Sequence, residues 1–324
     1  MQTEALIVGT DHAARLQRIE LPALTPTRVH LRTLVSGVSC GTEADCTSGR
    51  AVYMPRPFIT GYQAVAEVVA CGALVRSVKP GDRVFTMGCG DLWGMTQLAG
   101  GSHARELVVE EEAAHRIAPA CTALASASYT ALGAVALEGL RRMKLETGRT
   151  LLVFGLGMLG QMVGRLAQLE GLRVIGVNRS TWKREAALAF GFDAVCEPDA
   201  AAVDAAVAKL GLGTARWAVD TTGNQAVFDL ASRSLARYGE LNLLGYYPDT
   251  FKVSFDVHHS RDLRIHNPVG FGDCVPRVLS TIVDGRLDIS SLIRRTVRPA
   301  EITSFYKELV EDHGKHLGVV IDWR

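Results

Sequence analysis

The sequence predicts an α/β chain of two domains, a barrel-like all-β N-terminal third followed by a doubly wound parallel sheet. Three observations carry this. Up to about residue 118 the chain runs in short apolar or alternating stretches separated by Pro, Gly and Asp, the signature of strands and turns. From residue 121 buried apolar runs alternate with helical stretches of roughly 10–15 residues, the pattern of βαβ units. A glycine-rich segment, Gly155 to Gly160, joins one such run directly to one such helix. A chain of 324 residues suits two domains at roughly 100–200 residues each.

Each element follows from its local pattern. MQTEALIV, RVHLRTLVSGV, AVAEVVACG and DRVFTM read as strands, with SVKPGD as the turn before the last of them. HARELVVEEEAAHRIAP reads as a further strand pair. CTALASASYTALGAVALEGL is a helix rich in small residues, and TLLVFG (150–155) is a buried strand. MLGQMVGRLAQLEG is an amphipathic helix ended by Gly171. Strands follow at RVIGVN (173–178), FDAVC, RWAVDTTG (216–223) and ELNLLGYY (240–247), with helices between them, and the C-terminal stretch holds one more helix and a last strand. The expected division is 1–120 with 292–324 for the β domain and 121–291 for the parallel sheet.

Composition narrows the function. With 35 basic and 34 acidic residues the formal charge is +1, which argues against a general nucleic-acid or membrane-surface binder. No apolar run reaches the length of a membrane span, and the N-terminus lacks the basic start and apolar core of a signal peptide. The seven cysteines, at 40, 46, 71, 89, 121, 196 and 274, are odd in number and form no CxxC. The expectation is free thiols in a reducing cytoplasm. Glycine, at 32 residues, is in excess, which points to tight turns and close backbone approaches.

Gly155-Leu156-Gly157-Met158-Leu159-Gly160 is a G-x-G-x-x-G placed after a buried strand and at the head of a helix, the context of a Rossmann dinucleotide site. Gly155 allows the turn, Gly157 lets backbone approach a pyrophosphate, and Gly160 lets helix and strand pack closely. The helix start offers free N–H groups and positive potential to the anion. At the end of the second strand an NAD site would carry Asp or Glu for the ribose 2′-hydroxyl, but positions 176–181 hold none. Asn178, Arg179 and Ser180 stand there instead, with Lys183 and Arg184 one turn on. Arginine forks onto phosphate, so NADP(H) is expected. The loops Asp220–Gly223 and Leu243–Gly245, with Thr221, Gly223, Leu244 and Gly245, fall at the carboxyl edge of the sheet, where the nicotinamide end belongs.

Four further segments carry a resemblance: Ser36-Gly37-Val38-Ser39-Cys40-Gly41-Thr42-Glu43, Ile59-Thr60-Gly61-Tyr62-Gln63, Pro80-Gly81-Asp82-Arg83-Val84 and the glycine-rich loop. Over its whole length the chain resembles the medium-chain dehydrogenase/reductase superfamily, which implies a GroES-like β-barrel domain, a Rossmann domain and a return to the barrel. Zinc members carry a Cys in the first segment and Gly-His-Glu in the second. Here Cys40 matches, but Tyr62 and Gln63 replace the His and Glu. The third ligand ahead of SASYTALGAV is missing, with Cys121 several residues early, and the four-cysteine lobe is absent. One cysteine, a phenol and an amide do not make a tetrahedral zinc set, so a zinc-independent enzyme is expected, with Cys40 a small residue lining the pocket. A branch resembling the bacteriochlorophyllide a dehydrogenases is marked by SGVSCGTE, SGR (48–50), ITGYQ, VFTMGCGDLWGMTQLAGGSHARELVV, GELNLLGYYPDTFKVSF, DGRLDISSLI and LGVVIDWR. That resemblance implies oxidation of a hydroxyethyl group on a tetrapyrrole, or on another ring substrate of a biosynthetic pathway.

Without a Lewis acid the developing alkoxide needs a hydrogen-bond donor. Tyr62 is the first candidate, with Thr42 as a proton relay and Glu43 close by, the latter expected to pair with a basic residue such as Arg83. Tyr129 and Thr130 open the helix that crosses beneath the nicotinamide in the superfamily, so Thr130 is expected at the carboxamide and Tyr129 at the substrate. His103 and Trp93, with Met95 and Leu98, are candidates for the substrate mouth. His258 and His259, read as adjacent residues after a strand, are assigned to surface or packing. The superfamily also implies a homodimer, paired through a strand near 266–272. Two rival functions remain open: an NADPH-dependent C=C reductase of the enoyl or quinone type, and a non-catalytic NADPH-binding sensor.

Overall fold

The computed structural model describes residues 1–248, 250–271 and 273–324. They form two compact units, Met1–Leu132 with Pro276–Arg324, and Gly133–Val275. The boundaries therefore fall inside helices rather than at 120/121 and 291/292. The stretch 121–132 goes with the β unit because Tyr129 is anchored there: its hydroxyl donates to the Val319 carbonyl at 2.6 Å and accepts from the Val319 N–H at 2.8 Å.

The first unit opens with β1 (Gln2–Val8), β2 (Ala14–Glu20) and β3 (Arg28–Val38), followed by a helix, α1 (Cys40–Ser48). Then come β4 (Phe58–Ile59), β5 (Ala64–Cys71), β6 (Arg83–Thr86), β7 (Glu106–Glu110), β8 (His115–Ile117) and α2 (Leu124–Ala127). α3 (Thr130–Arg141) carries the chain into the second unit. There β9 (Thr150–Phe154), α4 (Met158–Leu169), β10 (Arg173–Val177), α5 (Thr181–Ala189), β11 (Ala194–Cys196) and α6 (Ala200–Leu210) alternate. β12 (Trp217–Asp220), α7 (Gln225–Ser234), β13 (Glu240–Leu243), α8 (Phe255–Arg261) and β14 (Arg264–His266) complete it. α9 (Cys274–Val283) leads back to the first unit, where β15 (Ile293–Val297), α10 (Ile302–Asp312) and β16 (Gly318–Asp322) end the chain.

In the first unit β3 is the spine. It pairs antiparallel with β5, β7 and the C-terminal β16, and kinks where its register with β5 shifts, at His30/Leu31 and Thr33/Val35. Such irregularities let one strand serve two neighbours and curl a sheet toward closure. The core beneath it holds Val29, Leu31, Val68, Val84, Leu107 and Val109. In the second unit the parallel strands run in the order β11-β10-β9-β12-β13-β14. Numbered within the unit, that is 3-2-1-4-5-6, the Rossmann arrangement, whose reversal point lies between β9 and β12. Central β9 is wholly buried, as a parallel strand covered on both faces must be. His258 and His259 lie on α8, not after a strand. His258 stacks on Phe228 of α7 at 5.7 Å, and His259 on Phe255, four residues back on the same helix, at 4.8 Å. β14 forms one edge of the sheet and stops at His266, short of the 266–272 span expected to pair, in which Gly272 lies outside the described residues. Among the described residues no helix is long and apolar enough to cross a membrane.

Candidate functional site

In the second unit the glycine-rich turn follows β9 and opens α4. Gly155 has φ +92°, a backbone conformation that only glycine adopts at no cost. A Cβ on Gly160 would lie 1.9 Å from the Gly155 carbonyl oxygen, so any side chain there collides with main chain. A Cβ on Gly157, by contrast, meets nothing within 4 Å. Gly157 is the N-cap of α4 and lacks a capping side chain, which leaves the first N–H groups, those of Met158, Leu159 and Gly160, for an external acceptor. The turn therefore fits a pyrophosphate by both shape and charge.

At the end of β10 the Asn178 side chain accepts the Ser180 N–H at 2.8 Å, folding a tight turn. Ser180 is the N-cap of α5, yet its hydroxyl makes no capping bond. Arg179 is exposed, and no acidic group pairs with it among the described residues. Lys183 sits with its ammonium 5.2 Å from the Trp182 ring centre. Arg184 is different from the expectation of a loose basic cluster. It donates to the carbonyls of Asn178 (2.7 Å) and Arg179 (3.0 Å) and to Glu197 (2.9 Å), so it braces the turn instead of waiting for an anion.

The loops after β12 and β13 are organised by Asp220, which the sequence reading left without a role. Its carbonyl accepts the N–H groups of Leu244 (2.8 Å) and Gly245 (3.0 Å). Its carboxylate holds the Thr222 N–H at 2.7 Å and the hydroxyls of Thr222 and Tyr247. Burial raises the Asp220 pKa, with the Thr222 and Tyr247 hydrogen bonds working against the rise. Thr221 donates its hydroxyl back to the Phe154 and Gly155 carbonyls, 3.1 Å each, locking the Asp220–Gly223 loop to the glycine-rich turn.

In the first unit the second set of candidates gathers around the start of α1. The Glu43 carboxylate is fully buried and accepts from four groups. One oxygen takes the Ser39 N–H at 2.8 Å; the other takes the Thr60 hydroxyl at 3.0 Å, His103 Nε2 at 3.1 Å and the Tyr306 hydroxyl. Burial pushes its pKa up, but the charge of His103 and the donors from His103, Tyr306 and Ser39 outweigh this and hold the group below the ordinary range. Glu43 thus pairs with His103, not with Arg83, which reaches the Pro119 carbonyl. His103 fits under Gly61 because that residue has no side chain: a Cβ on it would lie 2.4 Å from the imidazole ring. Tyr62 is 5% exposed. Burial pushes its phenol well up, the Ser39 and Thr42 hydrogen bonds pull it down, and the Glu43 charge adds to the rise. Ser39 and Thr42 hydroxyls are themselves 3.3 Å apart. Cys40 and Thr42 are half-buried, so α1 presents this corner toward open space while Glu43 anchors it from below.

Several sequence-predicted pocket residues belong to the packing instead. Trp93 is a core side chain in one cluster with Val108 and Cys89, its indole N–H donating to the Gly101 carbonyl at 3.0 Å. Leu98 is 3% exposed and Met95 packs on the same core. Tyr129 is fully buried with its hydroxyl tied to β16, and Thr130 spends its hydroxyl on the Ala127 carbonyl at 2.7 Å, closing the turn into α3. His103 has no exposed surface. Tyr306 was missed. Its only signal was a polar tip on the buried stripe Ile302, Phe305, Tyr306, Leu309 of an amphipathic helix.

The residues at the zinc positions do not fit a zinc ion. Gln63 is buried, its amide spanning the Gly37 carbonyl (3.4 Å) and the Leu132 N–H (3.1 Å). The Cys40 thiol faces the carbonyls of Val38 and Leu317 at 3.9 and 3.8 Å. Among the described residues a single group of three potential ligands lies within mutual reach, Glu138, Asp273 and Cys274 in the second unit. Arg141 already sits on Asp273 and on the Cys274 sulfur (3.4 Å), and Arg142 on Glu138 (2.7 Å), so two guanidiniums hold the place a cation would take.

Comparison with known proteins agrees with this architecture. The family described as alcohol dehydrogenase GroES-like domain matches residues 25–119, and that described as zinc-binding dehydrogenase matches 159–283. The chain is 26% identical to 2-desacetyl-2-hydroxyethyl bacteriochlorophyllide A dehydrogenase of Cereibacter sphaeroides over 342 aligned positions, covering 100% of this chain and 99% of that one. It is 24% identical to (R,R)-butanediol dehydrogenase of Bacillus subtilis, covering 87% and 89%. A zinc-binding dehydrogenase from Sinorhizobium meliloti 1021, solved bound to NADP, superposes with a TM-score of 0.86 at 19% identity and 99% coverage of both chains. With a GroES-like unit, a 3-2-1-4-5-6 Rossmann sheet and dehydrogenase relatives along its full length, the chain is an oxidoreductase belonging to the medium-chain dehydrogenase/reductase superfamily.

Proposed function

We propose that this enzyme is a zinc-independent, NADP(H)-dependent dehydrogenase that interconverts a secondary alcohol and a ketone on a biosynthetic intermediate, with a hydroxyethyl group on an aromatic or tetrapyrrole-like ring as the substrate class. What carries the reading is Tyr62, a buried phenol where zinc relatives place a ligand, its burial-raised pKa pulled back by the Ser39 and Thr42 side chains. The full-length similarity to an enzyme named for a hydroxyethyl tetrapyrrole supports the substrate class.

The nicotinamide, when bound, gives or takes the hydride. The chain's own work is to hold the dinucleotide and manage the proton. Gly155, Gly157 and Gly160 with the N–H groups of Met158 and Leu159 cradle the pyrophosphate, and Arg179, Ser180 and Lys183 receive the 2′-phosphate beside Asn178. The loops with Thr221, Gly223, Leu244 and Gly245 border the nicotinamide end. In ketone reduction the Tyr62 hydroxyl donates to the carbonyl oxygen and passes its proton as the alkoxide forms; the Thr42 and Ser39 hydroxyls restore it from solvent. Oxidation runs the same path backwards. The raised phenol pKa keeps Tyr62 protonated at neutral pH, and a secondary alkoxide is a strong enough base to take that proton. A homodimer in the cytoplasm, its subunits meeting at the β14 edge, completes the reading; the exposed Val269 and Ile265 near that edge support it.

Two measurements test the cofactor and metal assignments. Titration should give tighter binding of NADPH than NADH, and Arg179→Ala should weaken NADPH by roughly tenfold or more, the loss of a charge-assisted contact, while NADH changes little. Tighter NADH in the parent protein would refute the 2′-phosphate site. Elemental analysis of purified enzyme should give substoichiometric zinc, with turnover of a probe such as 1-phenylethanol and NADP⁺ unaffected by a chelator. Stoichiometric zinc whose removal stops turnover would overturn the metal-free reading.

A further inference from the structure

The Glu43 carboxylate joins segments far apart in the sequence. Ser39 is the N-cap of α1, Thr60 follows β4, His103 precedes β7, and Tyr306 lies in α10, 263 positions away. All of these groups are buried: Glu43, Thr60 and His103 have no exposed surface and Tyr306 has 1%. An ionised carboxylate is acceptor-only, with about four lone-pair sites for donors, and charge-assisted bonds of this kind are about twice as strong as neutral ones. One oxygen serves the backbone of the turn that carries Cys40 and Thr42, and the other gathers the three side-chain donors. The Ser39 and Thr42 hydroxyls, 3.3 Å apart, are the side-chain groups that pull the burial-raised pKa of the Tyr62 phenol back down. The chain of contacts therefore runs from α10, through Glu43, to the Ser39–Thr42 turn, and from that turn to the Tyr62 hydroxyl. An apolar cluster in its place would avoid the desolvation cost of the buried charge altogether. His103 Nδ1, buried without a partner, fits the same view, since the ring is placed for its Nε2 bond at the expense of the other nitrogen.

We propose that Tyr306 and His103 are positioning residues, which through Glu43 fix the Ser39–Thr42 turn and so set the orientation of the Tyr62 hydroxyl. The proposal rests on Tyr62 as the proton donor only in its kinetic arm. Its spectroscopic arm stands alone. Protein labelled with ζ-¹³C tyrosine, which has seven tyrosines, gives a Tyr62 resonance that Tyr62→Phe identifies by its loss. In Tyr306→Phe and in Glu43→Gln that resonance should shift, because the phenol's hydrogen bonds are re-aimed, while Glu43→Asp, which keeps the charge, should restore part of the parent position. Kinetically, with 1-phenylethanol and NADP⁺, Tyr306→Phe should lower kcat by roughly tenfold, in keeping with a misplaced rather than missing group, and leave KM for NADP⁺ unchanged. The double variant Tyr62→Phe/Tyr306→Phe should be no slower than Tyr62→Phe, since both act on one proton. A Tyr62 resonance that stays in place in Tyr306→Phe and Glu43→Gln, or kinetic losses that multiply in the double variant, would overturn the positioning role and leave the Tyr62 assignment intact. Parent-level turnover by Tyr62→Phe would remove the donor instead, and the resonance shifts alone would then decide whether Tyr306 orients Tyr62.

Discussion

Tyr62→Phe should lower kcat for 1-phenylethanol oxidation by roughly 10²–10⁴, the range general acid–base groups contribute, with the affinity for NADPH unchanged. The separation follows from where the groups lie. The residues set against the pyrophosphate and the 2′-phosphate belong to the Gly133–Val275 unit, whereas Tyr62, Ser39 and Thr42 belong to the other. The variant should also fold. Removing the phenol oxygen leaves the Ser39–Thr42 hydroxyl bond at 3.3 Å in place, so the stability cost stays at about 1–2 kcal/mol for the phenol's own lost hydrogen bonds. A thermal melt within a few degrees of the parent, together with a collapsed kcat, is the expected pair of results. Parent-like kcat would show that the phenol packs the barrel and that the proton moves elsewhere.

How far such a site can be read from sequence depends on whether its contacts are local. The Rossmann half was legible because its signals are short-range. β9, the Gly155–Gly160 turn and α4 adjoin in the chain, and the alternation of buried runs with helices fixes a parallel sheet before any long-range pairing is known. Cys40 and Tyr62 could be matched because their flanking segments are themselves compact motifs. The reading failed where a side chain's fate depends on a distant partner. Trp93 and Tyr129 are large residues in apolar surroundings, and nothing nearby in sequence says whether such a residue walls a pocket or fills a core. The Gly101 carbonyl and the β16 backbone decide it. From sequence Glu43 invites a basic partner such as Arg83, but the barrel brings His103 and Tyr306 to it, from 60 and 263 positions away. Arg184 lies in a sequence cluster of basic residues that suits a phosphate, whereas its guanidinium closes the β10–α5 turn through two carbonyls. Charge is visible in sequence; whether that charge is already spent on the fold is not.

The glycine-rich turn allows folding and binding to be separated by two substitutions of the same chemistry. Gly160→Ala should destabilise the protein by about 3 kcal/mol, the upper end for overpacking, because the new Cβ falls 1.9 Å from the Gly155 carbonyl oxygen and main chain on both sides must yield. α4 would have to lift off β9, and the Thr221 hydroxyl, bonded to the same carbonyl at 3.1 Å, would move with it. Gly157→Ala should behave differently. Its φ of −72° and ψ of −177° are open to alanine, and the Cβ meets nothing within 4 Å. The melting temperature should therefore match the parent. Yet that methyl would stand at the N-cap of α4, where a pyrophosphate must approach the backbone. Loss of two charge-assisted contacts, about 3 kcal/mol together, corresponds to about 100-fold weaker NADPH binding. Calorimetric titration beside a thermal melt reads both quantities on one sample. A Gly157→Ala protein that binds NADPH like the parent would mean that the phosphates do not lie against this turn. A Gly160→Ala protein as stable as the parent would mean that the turn adjusts without cost, and that Gly160 reports nothing about how tightly helix and strand are packed.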